Sequence, residues 1–466
     1  PETIDGYKVV GIGKEAFEEN NIIKSVSMAD SITEIGYAAF ENCSNLTKVD
    51  LSDNLKILNN RAFANCKKLS SILIPKKLEN TNTNEFAQSI TGAFAECDNL
   101  KTATFENGTT TIVAYLFQYC TGLENVSIPD TVTTVEAGAF RQCKNLKAVS
   151  FPDSVTSIGR EAFEDCLSLA DVKLSPKLVF LDVRAFNNCD SITSIEIPKT
   201  LRDTGLSGIG GYWTGPFSDC DNLENVTFAK GTVFIEDFLF QDCYGLKSIV
   251  IPDTVTDMGV GTFYGCGNLE SVVLSDSLTL IKNRVFVDCK KLKSIYIPDT
   301  IEAIYGSAFE NCTSLSQVNL PKALTTIGGN AFANCESLTS ITIPKGLKNT
   351  DGSSGPFSNC INLSNVNFEE GTTNIAPYLF DKCTGLVNIT IPSTMVVIGT
   401  CAFRDCINLL DIVVPSSVTD MYTDIFKNCT SLRSAVLPEG RININYGTFY
   451  NCSSLESIKL PSSVQY

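Results

Sequence analysis

Apolar residues return at fixed places along this chain, one set every 23 residues. The repeating unit reads I-P-x-x-V-x-x-I-G-x-x-A-F-x-x-C-x-x-L-x-x-I-x. Ile128 to Ser150 and Ile297 to Asn319 are clear copies. Phenylalanine marks the register from Phe17 through Phe40, Phe63 and Phe94 to Phe449, and almost every step is 23 residues. The steps 63→94 and 186→217 are 31, and 332→357 is 25. Within a unit, β-branched residues two apart, such as Ile195 with Ile197 and Ile341 with Ile343, predict a short strand with one buried face. The proline that follows has no amide to give to a ladder and ends the strand. V-x-x-I-G predicts a second short extended piece, with glycine permitting a bend after it. A-F-x-x-C-x-x-L spaces its apolar residues three to four apart, which predicts a helical or 3₁₀ turn.

A 23-residue unit is too small to bury its own apolar side, so neighbouring units must stack and share one core. The expected architecture is a repeat solenoid of about nineteen coils. Short parallel strands form one face, and second short strands and turns form the rest. A strand-stacking rise of ~4.8 Å per coil makes this a rod or arc about 90 Å long. Its 466 residues exceed what a single compact core accommodates, whereas a solenoid has no such ceiling. The reading is one solenoid over 1–466 with enlarged loops at 79–91, 202–214 and 348–354.

A longer period overlies the short one. The segments GAFAECDNLKTATFENGTTTIVAYLFQYCTGL from Gly92, GPFSDCDNLENVTFAKGTVFIEDFLFQDCYGL from Gly215 and GPFSNCINLSNVNFEEGTTNIAPYLFDKCTGL from Gly355 resemble one another more than their neighbours, as duplication of a five- or six-repeat block would leave them. Each follows an enlarged loop, and insertions on one side of a solenoid often mark binding. The chain enters and leaves partway through a unit. That predicts flanking sequence, or an atypical first coil acting as a cap, and Asn20 in the cysteine position fits the second.

Composition narrows the chemistry. There are 19 cysteines and no histidine, so the commonest general base and metal ligand is missing. Eighteen cysteines, Cys43 to Cys452, are the single repeat position three residues after the phenylalanine, and they read as small buried hydrophobes carrying mainly free thiols. No C-x₂-C pair occurs, and no cofactor, metal site or nucleophile–base pair is recognisable, so no enzymatic reaction is assigned. With 36 basic and 52 acidic residues the net charge is −16, and no basic run suits nucleic acid. No apolar stretch approaches the ~18 residues of a membrane span.

The pattern resembles the BspA-like leucine-rich repeats of bacterial surface proteins, and the resemblance covers nearly the whole chain. It implies a secreted or cell-surface protein that binds an extracellular protein or glycan, in adhesion to host or neighbouring cells, through its extended repeat surface. The alternative is a passive structural spacer within a larger surface protein. One departure from the common leucine-rich repeat is that the position three after the last strand residue, where many repeats have an asparagine ladder, mostly holds Thr, Ser or Lys, as at Thr131, Ser154, Thr200, Thr254 and Thr394.

Three features are candidates for contact. Tyr212 and Trp213, the only tryptophan, stand among glycines in an enlarged loop and suit either an anchor for a sugar ring or protein, or a cover over an apolar edge. Val250, Val273 and Tyr296 make an apolar patch in an otherwise small, polar outward column of the strand face; the bland reading is a solvated sheet with one sticky region. Cys401 falls in a slot held elsewhere by Glu15, Arg61, Glu161 or Ser307, so it is expected to be an accessible thiol, open to reaction or inert.

Overall fold

Alternation decides the strands. In Ser71–Ile74, Ser194–Ile197 and Ser340–Ile343 the first and third side chains face solvent while the second and fourth are buried. The computed structural model describes residues 2–81, 91–205, 214–439 and 444–460. Successive coils place these strands in parallel register one repeat apart, as in Ser25↔Lys48, Ala148↔Asp171 and Ser248↔Ser271. The second short strands stack likewise, Thr134↔Ser157 and Ser157↔Phe180 among them. The fold is therefore a parallel β-solenoid of leucine-rich repeat type with a 23-residue period. It divides into two compact units, Pro1–Thr232 with Leu239–Gly245, and Val233–Phe238 with Leu246–Tyr466. At the start of the first unit, Thr3–Ile4 and Tyr7–Lys8 form an antiparallel hairpin. In the next coil Asn20, standing where later coils have cysteine, accepts hydrogen bonds from the amides of Ile22 and Ile23.

The A-F-x-x-C segment is not helical. Among the described residues there is no helix, and this third side of each coil is a run of turns. The reason lies in the backbone. Residues two after each phenylalanine take positive φ, and so do those two before most of them, as Asn42 (60°) and Ala38 (52°) do, which breaks any helix. Amides then alternate. Those of Ala38, Phe40 and Asn42 donate to the next coil (Asn60, Ala62 and Ala64 carbonyls, 3.1, 2.7 and 2.9 Å), while those of Ala39, Glu41 and Cys43 donate three residues back within the coil. The abundance of Asn and Asp two residues after the phenylalanine follows from this φ, because their short polar side chains tolerate it.

Two further details correct local expectations. Gly36 and Gly159, after the second strand, do not take positive φ; a Cβ there would lie 2.6 and 2.8 Å from backbone atoms of the preceding coil, so glycine serves close approach rather than a bend. The Thr/Ser column also has its own ladder. Hydroxyls of Thr131, Ser154, Thr200 and Thr394 donate to carbonyls of the preceding coil (Thr109, Val132, Leu178 and Thr372) at 2.6–2.7 Å.

The core of each unit is a column of stacked rings. In the first, Phe17, Phe40, Phe63 and Phe94 continue to Phe240, with neighbouring centroids 5.0–6.1 Å apart. In the second the column runs from Phe263 to Phe449 at 5.0–6.3 Å. Beside it runs the cysteine column. Most of these thiols donate to the phenylalanine carbonyl of the coil before, for example Cys66 to Phe40 at 3.3 Å and Cys406 to Phe380 at 3.0 Å. All nineteen are free thiols.

Candidate functional site

Buried thiols make poor chemistry. Burial pushes the Cys220 and Cys360 thiols up to about 12 and that of Cys452 up to about 11, so almost no thiolate forms near neutrality. Cys401 joins them, against the expectation of an accessible thiol: it is 4% exposed. Its slot is equivalent to Gly138 and Gly261, which follow the other two duplicated blocks. There the ring of the preceding coil, Tyr115 or Phe238, fills the space a Cβ would need, at 2.3 Å in both cases. In the third block Tyr378 precedes Cys401. Arg404 closes over both, 5.4 Å from the Tyr378 ring and 3.7 Å from the Cys401 sulfur. Burial raises the Cys401 pKa, and the Arg404 charge only partly opposes this.

The charged groups with most burial are also structural. Glu164 lies between Arg141 (2.5 Å) and Arg184 (2.6 Å) of the adjoining coils, and its pKa is raised because desolvation outweighs both guanidiniums. Asp381 is fully buried and takes Arg404 in two hydrogen bonds, from Nε at 2.7 Å and Nη2 at 2.8 Å. Among the described residues, no group of Cys, Asp and Glu could hold a metal ion, and no helix is long and apolar enough to cross a membrane.

The strand face remains. Val250 pairs with Val273 in the adjacent coil, and they are 62% and 55% exposed; Tyr296, one coil on, is 64% exposed. Three large apolar side chains in successive coils of one outward column are therefore open to solvent. Beyond Tyr296 the ladder parts. Ser294–Ile295 pairs with Gln317–Val318 and the pairing stops there. In comparable coils the next amide donates to the neighbouring backbone, as Ile251 does to Val273 at 2.9 Å. Here the Asn319 side chain intervenes, its Oδ1 accepting from the Ile297 amide (3.1 Å) and its Nδ2 donating to the Ile297 carbonyl (2.9 Å). The result is a notch of about 430 Å³ lined by Ser294, Tyr296, Ser316, Gln317, Asn319 and Ser340. That volume lies in the range of small-ligand sites.

The sequence reading did not single out Asn319, nor Leu73 and Val413, which stand in the same outward column and are 56% and 61% exposed. Column position was the available signal for the two apolar residues. Nothing in the pattern announced that Asn319 would turn back on the ladder. Tyr212 and Trp213, with most of the 79–91 and 202–214 loops, lie outside the described residues.

With the geometry in view, relatives can be placed. No curated protein matches the chain. A leucine-rich repeat protein of Bacteroides ovatus is 25% identical and superposes with a TM-score of 0.52, over 89% of this chain and 85% of that one. A leucine rich cell surface protein of Faecalibacterium prausnitzii is 26% identical over 79% of this chain and 85% of that one, with a TM-score of 0.38. The BspA type Leucine rich repeat region matches in six overlapping copies, residues 4–92, 91–207, 213–315, 279–376, 302–433 and 350–466. With these copies spanning most of its length, the chain belongs to the BspA type leucine-rich repeat family.

Proposed function

We propose that this chain is a non-enzymatic binding module, secreted or displayed on a bacterial cell, which attaches to an extracellular protein through its strand face. The observation that carries the reading is the exposed run Val250, Val273 and Tyr296 on successive coils. Large apolar side chains in one continuous column are what a partner can desolvate, and a tyrosine at the end of the run is a typical interface anchor. Family membership supports the surface location, since proteins built on these repeats are bacterial surface proteins.

The test is a binding measurement by interferometry against purified extracellular-matrix proteins, with Val273→Asp and a control, Ser127→Asp, in the same outward column. A partner whose affinity falls at least about tenfold with the first change and not with the second meets the expectation; a buried unpaired charge is worth that much or more. A complete blank from folded protein favours the second reading, a passive spacer. Its support is the rest of the column, which is mostly polar and charged side chains such as Asp50, Ser127, Lys173, Glu196 and Thr342 that water solvates.

A further inference from the structure

Each coil presents three outward positions on its strand face: the residue after the repeat leucine, the next one, and the one two beyond that. Of the nineteen coils, fourteen carry at least one Lys, Arg, Asp or Glu at these positions. In the first unit such charges are paired across coils, Glu124 sitting 3.0 Å from Lys101 and 2.8 Å from Lys147, and the two lysines hold its carboxyl below the usual range. The pattern then stops. Four consecutive coils, with outward segments at 316–319, 339–342, 364–367 and 387–390, hold no charge at any of these positions; they hold hydroxyls, amides and one valine. In a chain of net charge −16 this is a distinct surface.

The amides are the informative part. In the turns before the strands, asparagines bond within the chain: Asn145 and Asn408 each donate from Nδ2 to a carbonyl of the preceding coil at 2.8 Å, and Asn222 does so at 2.9 Å. Gln317, Asn365 and Asn367 are exposed on strands, Asn388 is exposed at the equivalent position of the next coil, which forms no strand, and among the described residues these side-chain amides bond to nothing else in the chain. Each offers two donors and an acceptor side by side, a match for adjacent hydroxyl groups. Tyr296 stands at one end of the tract as an exposed ring beside the notch. The tract lacks the tryptophan, tyrosine and arginine anchors that concentrate energy in protein interfaces.

We propose that these four coils, headed by Tyr296, form a binding site for a neutral extended glycan. The glycan lies across the coils, which present amides and hydroxyls to successive sugars, with Ser340–Ile343 and Asn365–Phe368 paired as parallel strands at the middle of the tract. Tyr296 takes the apolar face of one sugar ring at the notch. Acidic glycans are excluded by the chain's net charge and by the lack of any cation within the tract. The site shares Tyr296 with the protein-docking run, and the asparagine and Val273 variants separate the two readings.

Affinity electrophoresis of the full chain in native gels containing β-glucan, xylan or galactomannan tests this, with polygalacturonate as the acidic control and a neutral hexasaccharide for calorimetry. At least one neutral polysaccharide should retard the protein. The exposed double variant Asn365→Asp/Asn367→Asp should weaken that retardation at least about tenfold, the worth of a hydrogen bond or two. Tyr296→Ala should weaken it too, and Val273→Asp should leave it unchanged. Circular dichroism and protection of the buried thiols report that each variant is folded. No retardation by any neutral polysaccharide, full retardation of the folded double variant, or preference for polygalacturonate would overturn the proposal.

Discussion

Replacing Arg404 by alanine isolates what its side chain holds together. Asp381 is fully buried, and its carboxylate receives both Nε (2.7 Å) and Nη2 (2.8 Å) of Arg404. Removing the guanidinium leaves a buried carboxylate with its countercharge gone, a change that costs about 3–5 kcal/mol. Loss of the cation over Tyr378 adds about 0.5–1 kcal/mol. Arg404→Ala should therefore lower the stability of the second unit by about 3–5 kcal/mol, read from the urea midpoint and slope. Arg404→Lys should fall between, because a point charge cannot reproduce the paired geometry. The double variant Arg404→Ala/Asp381→Asn should recover part of the loss, because no buried charge is then stranded. The same change lifts the cover from Cys401. Under native conditions, alkylation followed by mass mapping should find Cys401 protected in the natural protein and the first cysteine modified in Arg404→Ala. A stability loss under about 1 kcal/mol, or a double variant no more stable than Arg404→Ala, would refute the stranded-charge reasoning. Rapid alkylation of Cys401 in the natural protein would refute its burial.

Two more expectations concern packing and pH. Glu164 has a folded pKa raised above its unfolded value, so its contribution to stability is complete below about 4.5 and is lost as pH rises through the folded pKa. The stability of the natural protein relative to Glu164→Gln should accordingly decline from pH 4 to pH 7 in urea titrations; a flat or rising difference contradicts the burial argument. Gly138 takes φ +59°, a conformation that Ala38 adopts without glycine, so the requirement at 138 comes from the Tyr115 ring lying where a Cβ would go. Gly138→Ala should cost about 1–3 kcal/mol as overpacking, and the added change Tyr115→Ala should remove the clash, giving a non-additive double-mutant cycle by thermal or urea unfolding.

Much of the coil was legible because one side-chain column recurs in every unit. Phe40 to Phe449 gave the register, and the cysteines three residues on, Cys43 to Cys429, took their place in the core beside them. The outward column that contains Val250, Val273 and Tyr296 followed from alternation alone. Cys401 was misplaced because it was compared with Glu15 and Arg61, its equivalents in ordinary coils. Its informative equivalents are Gly138 and Gly261, where an aromatic ring of the coil below occupies the slot. The helical turn was misread for a related reason. Spacing of three and four fits a helix, but it equally fits turns whose alternate amides bond to the next coil, and no window within one repeat distinguishes them.

Sequence by itself determined the period, the number of coils, the parallel strand face and the identity of the buried columns, because a repeat that cannot bury its own apolar side has only its neighbours to use. Tertiary structure alone decided what depends on two coils meeting at a given distance. It set which amides bond upward and which inward, why glycine is needed at 36 and 159, and how Arg404 covers Cys401. It also decided that Asn319 folds back to open the ladder beside Tyr296 while the amides at 317, 365, 367 and 388 stay free. The contacts between coils among these outcomes join residues 22 to 26 apart in the chain, fixed by packing and hydrogen-bond geometry across the stack rather than by the pattern within a unit.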